Sequence, residues 1–492
     1  MINKKIIFCI TKNKWFLNVF LPLLSIFYIL FLWRLIIAKN YFILIGVLAL
    51  TFLIIIIASK ESLVKIKIDF ILKLLLWITI ITAITGPAFF AIPIGHYHLL
   101  LFRIFLPLIL LLIFSQILLN QGKISGSLKK IKFYLLFIVI WFGYAILTLA
   151  WAYSKTKALE NIYFLFVGFS LIFLIVLYFK KIKNLKNLYI LWMIILVSFV
   201  GIGLLEIFTG YRLQSSGYFG TIWANKKIWP TAVFHNTNDF ASFLALSIPF
   251  IWVWLRYGKR KMLKWLTGII LFTCVFFLLI KTSSRLNFLA VGLEIIFIFF
   301  CLLKINKKIK IIIALGLIMV LIFVIYPQFF SNLSTFFENL ITYQNYSSSI
   351  ASRINVIKNS LNGLVGSFGF GVGAGNVEHY IAHFAKHPIV GGILVPHNWW
   401  IEILSTYGIF IFVGYLLFYF SLIYNLWKIW HRINNPQEKI ICEALLIALI
   451  GFSLSSMGPS SMIQLKYQWV LFGFALAFLN YYRLKYIKKE RL

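Results

Sequence analysis

Apolar runs of about 20 residues recur along this chain, and that feature constrains its fold more than any other. Inside a bilayer every backbone N–H and C=O must find a partner within the protein, so runs of this length are read as membrane-spanning helices. With 62% hydrophobic residues in 492, the chain is expected to be an all-α polytopic integral membrane protein forming a single polytopic domain over 1–492. Spans are predicted near 16–37, 41–58, 70–91, 99–119, 133–150, 161–179, 187–208, 237–255, 263–280, 286–303, 311–330, 399–425, 440–457 and 468–481. Fourteen spans put both termini on one side of the membrane. Twelve, with the turn at Ala38-Lys39-Asn40 and the final pair read differently, keep the same sidedness.

The net charge of +35 resembles that of a nucleic-acid binder until the charges are placed. Most of the 47 Lys and Arg residues fall in the termini and in alternate loops, as in Lys129-Lys130-Ile131-Lys132, Lys180-Lys181-Ile182-Lys183 and Lys259-Arg260-Lys261. That asymmetry follows the positive-inside rule, puts both termini in the cytoplasm and argues for the bilayer, with no nucleic acid, as the partner of the charge. The four cysteines, Cys9, Cys274, Cys301 and Cys442, are scattered and give neither a disulfide framework nor a thiolate metal site. The first apolar run is too long, and lacks a small-residue processing site, for a cleaved signal peptide.

Cytoplasmic loops are short and basic, whereas 209–236 and 331–398 are substantial hydrophilic segments on the outward side, with a smaller one at 85–98. Activity is therefore expected to face outward, with 331–398 as the catalytic loop. Within it, Ser347-Ser348-Ser349 precedes Ile350, Ile354, Ile357 and Leu361 at helical spacing, which predicts a short amphipathic helix at the interface holding Arg353 at headgroup depth. Six glycines between Gly363 and Gly375 follow, and the N–H groups around Gly371 and Gly373 are candidates for close approach to an anion. The run is neither a Rossmann nor a Walker fingerprint, lacking the strand, the helix-opening context and the lysine those motifs need.

His397, in Pro396-His397-Asn398-Trp399-Trp400-Ile401-Glu402, is the first candidate for chemistry. A neutral imidazole at the mouth of an outward cavity can take a proton from an attacking sugar hydroxyl; the plain alternative is a loop histidine bound to backbone. Asn398 either orients substrate or caps a helix, and Glu402, one turn on, either reaches the same cavity or favours the helix start. Arg285, Arg353 and Arg212 are the guanidinium candidates, suited to grip a diphosphate in paired hydrogen bonds, with headgroup contact as the alternative. Arg103, beside the outward loop that holds His96 and His98, ranks below them as a phosphate ligand. Asn236, Asn238 and Asp239 gather at a span start, where they line a sugar site or build an elaborate cap. His379, His383 and His387 share a helical spacing, but no paired carboxylates surround them, so no metal is expected.

In chain order these elements resemble the O-antigen ligase and Wzy-type polymerase superfamily. Glu206 with Thr209-Gly210 resembles its "Glu...Thr-Gly" element, Asn236-Thr237-Asn238 its "Asn-x-Asn" span entrance, Ser284-Arg285 its "Ser-Arg" entrance, and the glycine run with Arg353 and His397-Asn398 its loop signature. The resemblance covers about 200–420; the amino-terminal half matches only in hydropathy. It implies a metal-independent, cofactor-free inverting glycosyltransferase on the extracytoplasmic face of a bacterial cytoplasmic membrane. The implied donor is an undecaprenyl-diphosphate-linked oligosaccharide and the acceptor a glycan, with a flippase or chain-length protein as a possible partner. It makes His397 the general base and Arg285 and Arg353 the diphosphate ligands. Richness in Lys, Ile, Phe and Asn matches an AT-rich, Gram-positive genome without lipopolysaccharide, which favours a surface-polysaccharide polymerase over a ligase.

A flippase or transporter is the rival from another class. It calls for ionisable residues at mid-span and broken helices in corresponding halves; Glu294 and Glu443 are the conspicuous intramembrane acids, without a half-to-half repeat. A wall glycosyltransferase with an outward carboxylate is the third reading, resting on Asp239, Glu338 or Glu378 in no recognised arrangement.

Overall fold

A computed structural model describes residues 62–86, 91–94, 97–119, 126–222, 227–257, 262–303, 349–389 and 391–490. The expected spans 16–37, 41–58 and 311–330, and the first part of the 331–398 loop, lie outside them. The chain divides into two compact units, 1–126 and 127–492. In the first, α1 (Ser62–Thr85) packs on α2 (Leu101–Leu119), with a two-stranded antiparallel ribbon between them in sequence. The ribbon pairs β1 (Ala91–Ile94) with β2 (Tyr97–Leu100), Ala91 opposite Leu100, where an all-α chain was expected to have only a loop.

The regular elements described in the second unit are all helices. Its elements are α3 (Lys132–Leu147), α4 (Lys155–Tyr178), α5 (Ile182–Thr209), α6 (Thr237–Tyr257), α7 (Met262–Lys281), α8 (Arg285–Phe297, continued by a wide turn to Leu302), α9 (Ser349–Gly366), α10 (Val377–Phe384), α11 (Trp399–Arg432), α12 (Pro436–Ser455) and α13 (Lys466–Glu490). Seven described helices are long and apolar enough to cross a membrane, namely α3 to α8 and α11. The expected last two spans, α12 and α13, are helices too polar to meet that criterion, and the reason is their position. α12 packs along α6 and α8, α13 along α4, and most residues of both whose burial is described are buried against protein. A helix shielded from lipid needs close packing more than hydropathy. Gly168 of α4 accordingly lies against the Trp469 ring, where a Cβ would come within 2.5 Å of it.

Helix α11 departs most from expectation. The sequence predicts one span over 399–425, but Gly408 has φ 78 and ψ −179 and breaks the helix. Trp399 and Tyr415 would be separated by roughly 24 Å along a continuous helix. Their rings are 6.1 Å apart instead, and Trp399 Nε1 donates to Tyr415 Oη at 2.8 Å. The first arm, 399–407, therefore folds back alongside the second, 409–432. Its start is level with Tyr415, roughly 10 Å of helix rise below the break. An aromatic nucleus around Trp141 holds it there, in ring contact with Phe169, Trp399, Tyr407, Tyr415 and Trp469.

Segments 148–154, 209–236, 282–284, 367–398 and 456–465 meet at one end of this unit. The other end carries Lys130, Arg256, Arg432, Lys439, Arg483 and Lys485. There Glu443, fully buried, accepts hydrogen bonds from Trp252 Nε1, Arg256 Nη1, Tyr257 Oη and Trp430 Nε1. It thus ties α6, α11 and α12 together. Glu294 is equally buried, packed against Gly451, and neither of its oxygens has a hydrogen-bond partner.

Candidate active site

The 349–398 segment is a folded piece with its own small core of Val356, Val377 and Ile381, covered by Val372, Tyr380 and Leu394. Asn359 fastens it: its Oδ1 accepts from the backbone N–H of Lys386 and of His387, both at 2.9 Å, and its Nδ2 donates to His387 O. Helix α9 has two distinct faces. Ser352, Val356, Asn359 and Ser360 are buried, whereas Ile354 and Leu361 point outward. The face with Ser352, Val356, Asn359 and Ser360 packs on protein, and Ile354 and Leu361 are left for an apolar surround.

The glycine run does something other than cradle an anion. Gly371 N–H donates to Ser367 Oγ, Val372 N–H to Ser405 O, Gly373 N–H to Thr406 O and Ala374 N–H to Thr148 Oγ1. These donors are occupied, so the expectation that Gly371 and Gly373 offer N–H groups to a phosphate gives way to a structural role. The glycines let the loop press against the break in α11. A Cβ on Gly371 would stand 2.6 Å from Gly408 N, and one on Gly408 2.3 Å from Gly369 O. The turn at 148–154 closes the other side: Trp151 Nε1 donates to Gly371 O, Tyr144 Oη to Phe370 O, and Ser154 N–H to Asn376 Oδ1.

His397 sits two residues before the first arm of α11, with φ 48 in the left-handed region. Such conformations cost about 1–3 kcal/mol and persist where surrounding structure enforces them. Its Nδ1 is buried without a partner. The backbone hydrogen bonds of Gly458 and Pro459 therefore fall to the other ring nitrogen. Burial first, and then the nearby Arg353 charge, lower its pKa to about 4, so the ring is neutral over the ordinary pH range. Arg353 is half-buried on α9, and burial also lowers its own pKa. Asn398 is the helix cap, its Oδ1 accepting from Trp400 and Ile401 N–H. Trp399 N–H meets Ser456 O and Glu402 N–H meets Asn398 O, so the helix start has no backbone donor left for an anion.

The connection 456–465, which sequence reasoning passed over, is the hub of the site. Gly458 and Pro459 hold His397, Ser460 N–H binds Asp239, and Ser461 Oγ donates to Glu402 Oε1 at 2.7 Å. A Cβ on Gly458 would touch Asn287 Nδ2 at 3.0 Å, and Asn287 donates to Ser284 Oγ at 2.9 Å. The cluster Ser455-Ser456-Met457-Gly458-Pro459-Ser460-Ser461 between two apolar helices was the available signal.

The other candidates separate. Asp239 is 6% exposed and its Oδ1 has no partner, in a row with Asn238, whose carbonyl accepts from Asn287 Nδ2 at 3.5 Å. Asn236 caps α6 through Asn238 N–H at 2.7 Å. Arg285 is exposed at the start of α8, beside the Ser284 that borders Gly458. Arg212 is buried: it faces Glu206, donates to Ile228 O and Trp229 O, and lies over the Tyr218 ring, which makes it a fastener of the 209–236 loop. Glu206 accepts from Thr231 N–H, Thr231 Oγ1 and Ala232 N–H in the same knot. Arg103 is exposed on α2, in the first unit.

The family model for O-antigen ligase matches residues 270–419, which span α8, α9, the glycine run, His397 and the break in α11. The chain is also 32% identical over 420 residues to the teichuronic acid biosynthesis protein TuaE of Bacillus subtilis, covering 83% of this chain and 84% of that protein. The chain belongs to the O-antigen ligase family.

Proposed function

We propose that this protein is a polyprenyl-diphosphate-dependent glycan polymerase of surface polysaccharide assembly, with His397 as general base and Arg353 and Arg285 as ligands of the donor diphosphate. The observation that carries the reading is a buried neutral imidazole with a free Nδ1 in the field of a guanidinium. The acceptor hydroxyl attacks the anomeric carbon and its proton passes to His397. The C1–O bond to the diphosphate breaks, and its electron pair leaves on undecaprenyl diphosphate. A single displacement inverts the anomeric carbon without a glycosyl-enzyme. The leaving group is already anionic, so arginine charge serves it better than a proton.

Clustering of basic residues at the opposite end supports an extracytoplasmic site. The relative's role in teichuronic acid biosynthesis supports an acidic surface glycan as the product. A ligase would differ in the acceptor alone.

The test is chain-length growth by protein in liposomes supplied with undecaprenyl-diphosphate oligosaccharide. His397→Ala should lose product by about 100-fold or more while still binding donor, and Arg353→Ala should raise the donor KM. Unchanged turnover in His397→Ala removes the base. Lipid carried across the vesicle without new glycosidic bonds favours the flippase instead.

A further inference from the structure

An open cleft of about 90 Å³ runs beside the first arm of α11, with Pro396 on its wall. Its walls come from the start of α4, the start of α10, the first arm and residues 461–464. Pro396 lines it, so His397 is one residue away. The walls carry paired acceptors and donors at close range: Asn161, Glu378, Glu402, Ser461 and Gln464, with Phe164 as an apolar surface. The side chains are well fixed. Tyr407 Oη donates to Asn161 Oδ1, and Glu402 takes its hydrogen bond from Ser461.

Charge narrows the occupant. Lys157 also lines the cleft but faces Glu160 at 3.5 Å, and Lys466 lies over the Phe164 ring. Glu378 and Glu402 are close enough to repel one another, and no cation is paired with either among the described ion pairs. A phosphate or a carboxylate entering here would meet the charge of Glu378, which is exposed on the cleft wall and has no ion-pair partner among the described ion pairs. Vicinal hydroxyls and an amide, by contrast, match carboxylate and amide side chains well.

We propose that this cleft is the acceptor subsite and that it takes an uncharged terminal sugar of the glycan, presenting its hydroxyl past Pro396 to His397. The inference rests on the polymerase reading and divides the site in two: cations on the α9 side for the donor, carboxylates and amides on the α4 side for the acceptor. The new glycosidic bond forms where the halves meet, the acceptor proton leaving to His397.

The experiment uses the full chain in liposomes, with saturating lipid-linked donor and short lipid-free oligosaccharides ending in either an N-acetylhexosamine or a uronate. Gln464→Ala and Asn161→Ala should each raise the acceptor KM about tenfold, the effect of roughly one lost hydrogen bond, with the donor KM within about twofold. The wild type should prefer the uncharged end by about tenfold or more, and Glu378→Lys, at an exposed position that tolerates change, should narrow that preference. An unchanged acceptor KM, a donor KM that rises equally, or a wild-type preference for the uronate end would overturn the proposal. So would a divalent-cation requirement that Glu378→Gln abolishes. A wild type that polymerises while the cleft variants match it defeats this inference alone. A wild type that makes no glycosidic bond defeats the polymerase reading and this subsite with it.

Discussion

The protonation of His397 gives the site a pH signature. With its pKa lowered to about 4 by burial and by Arg353, the acid limb of kcat/KM should lie near pH 4. Arg353→Gln removes the smaller of the two causes, so the limb should move up, part of the way towards 6.5. A diphosphate bound at Arg353 cancels the same field, so the limb of kcat should lie above that of kcat/KM. Stability follows the same sign: between about 4 and 6.5 the unfolded chain binds the proton that the folded ring refuses, so this contribution is complete above 6.5 and is lost as pH falls through that window. Parallel pH profiles of rate and of thermal unfolding check both. His397 and Arg353 were legible in the sequence because polar residues stand out in a loop between apolar runs. Arg212, Gly371 and Gly373 looked equally suitable, but residue type does not reveal that Glu206, two carbonyls or Ser367 already occupy their polar atoms.

Among the elements, the break in α11 matters most. Gly408 has a positive φ and backbone within 2.6 Å of any Cβ, so Gly408→Ala should destabilise by more than about 2 kcal/mol and reduce activity along with stability. Denaturant unfolding in detergent against product formation would measure it. Hydropathy could not have placed this break, because both arms are apolar and a glycine inside a span is ordinary. It placed the bounds of α3 and of α6 to α8 within about three residues, whereas α4 and α5 begin six and five residues earlier than expected, their charged first turns being helical. The buried helices α12 and α13 were harder to read, their polar residues facing protein instead of lipid. The 456–465 connection is short, and its importance lies in its contacts with five distant residues, Asp239, Asn287, His397, Trp399 and Glu402.

For the molecule as a whole, the grouping of site segments at one end and basic residues at the other predicts sidedness. In a background with all four native cysteines replaced, Ile222→Cys should react with a membrane-impermeant maleimide added to intact cells, while Gln437→Cys should react only after lysis. The opposite pattern would reverse the topology. The fold-back at Gly408 adds a chemical consequence. The proposed base, carried roughly two turns of helix below the break, would meet whichever hydroxyl is escorted down to it, with bulk solvent a poor competitor there. An activated sugar held beside open water would soon be hydrolysed and growth would end early. In the polymerase proposed here, sinking the reaction inside the bundle would let elongation outrun that termination.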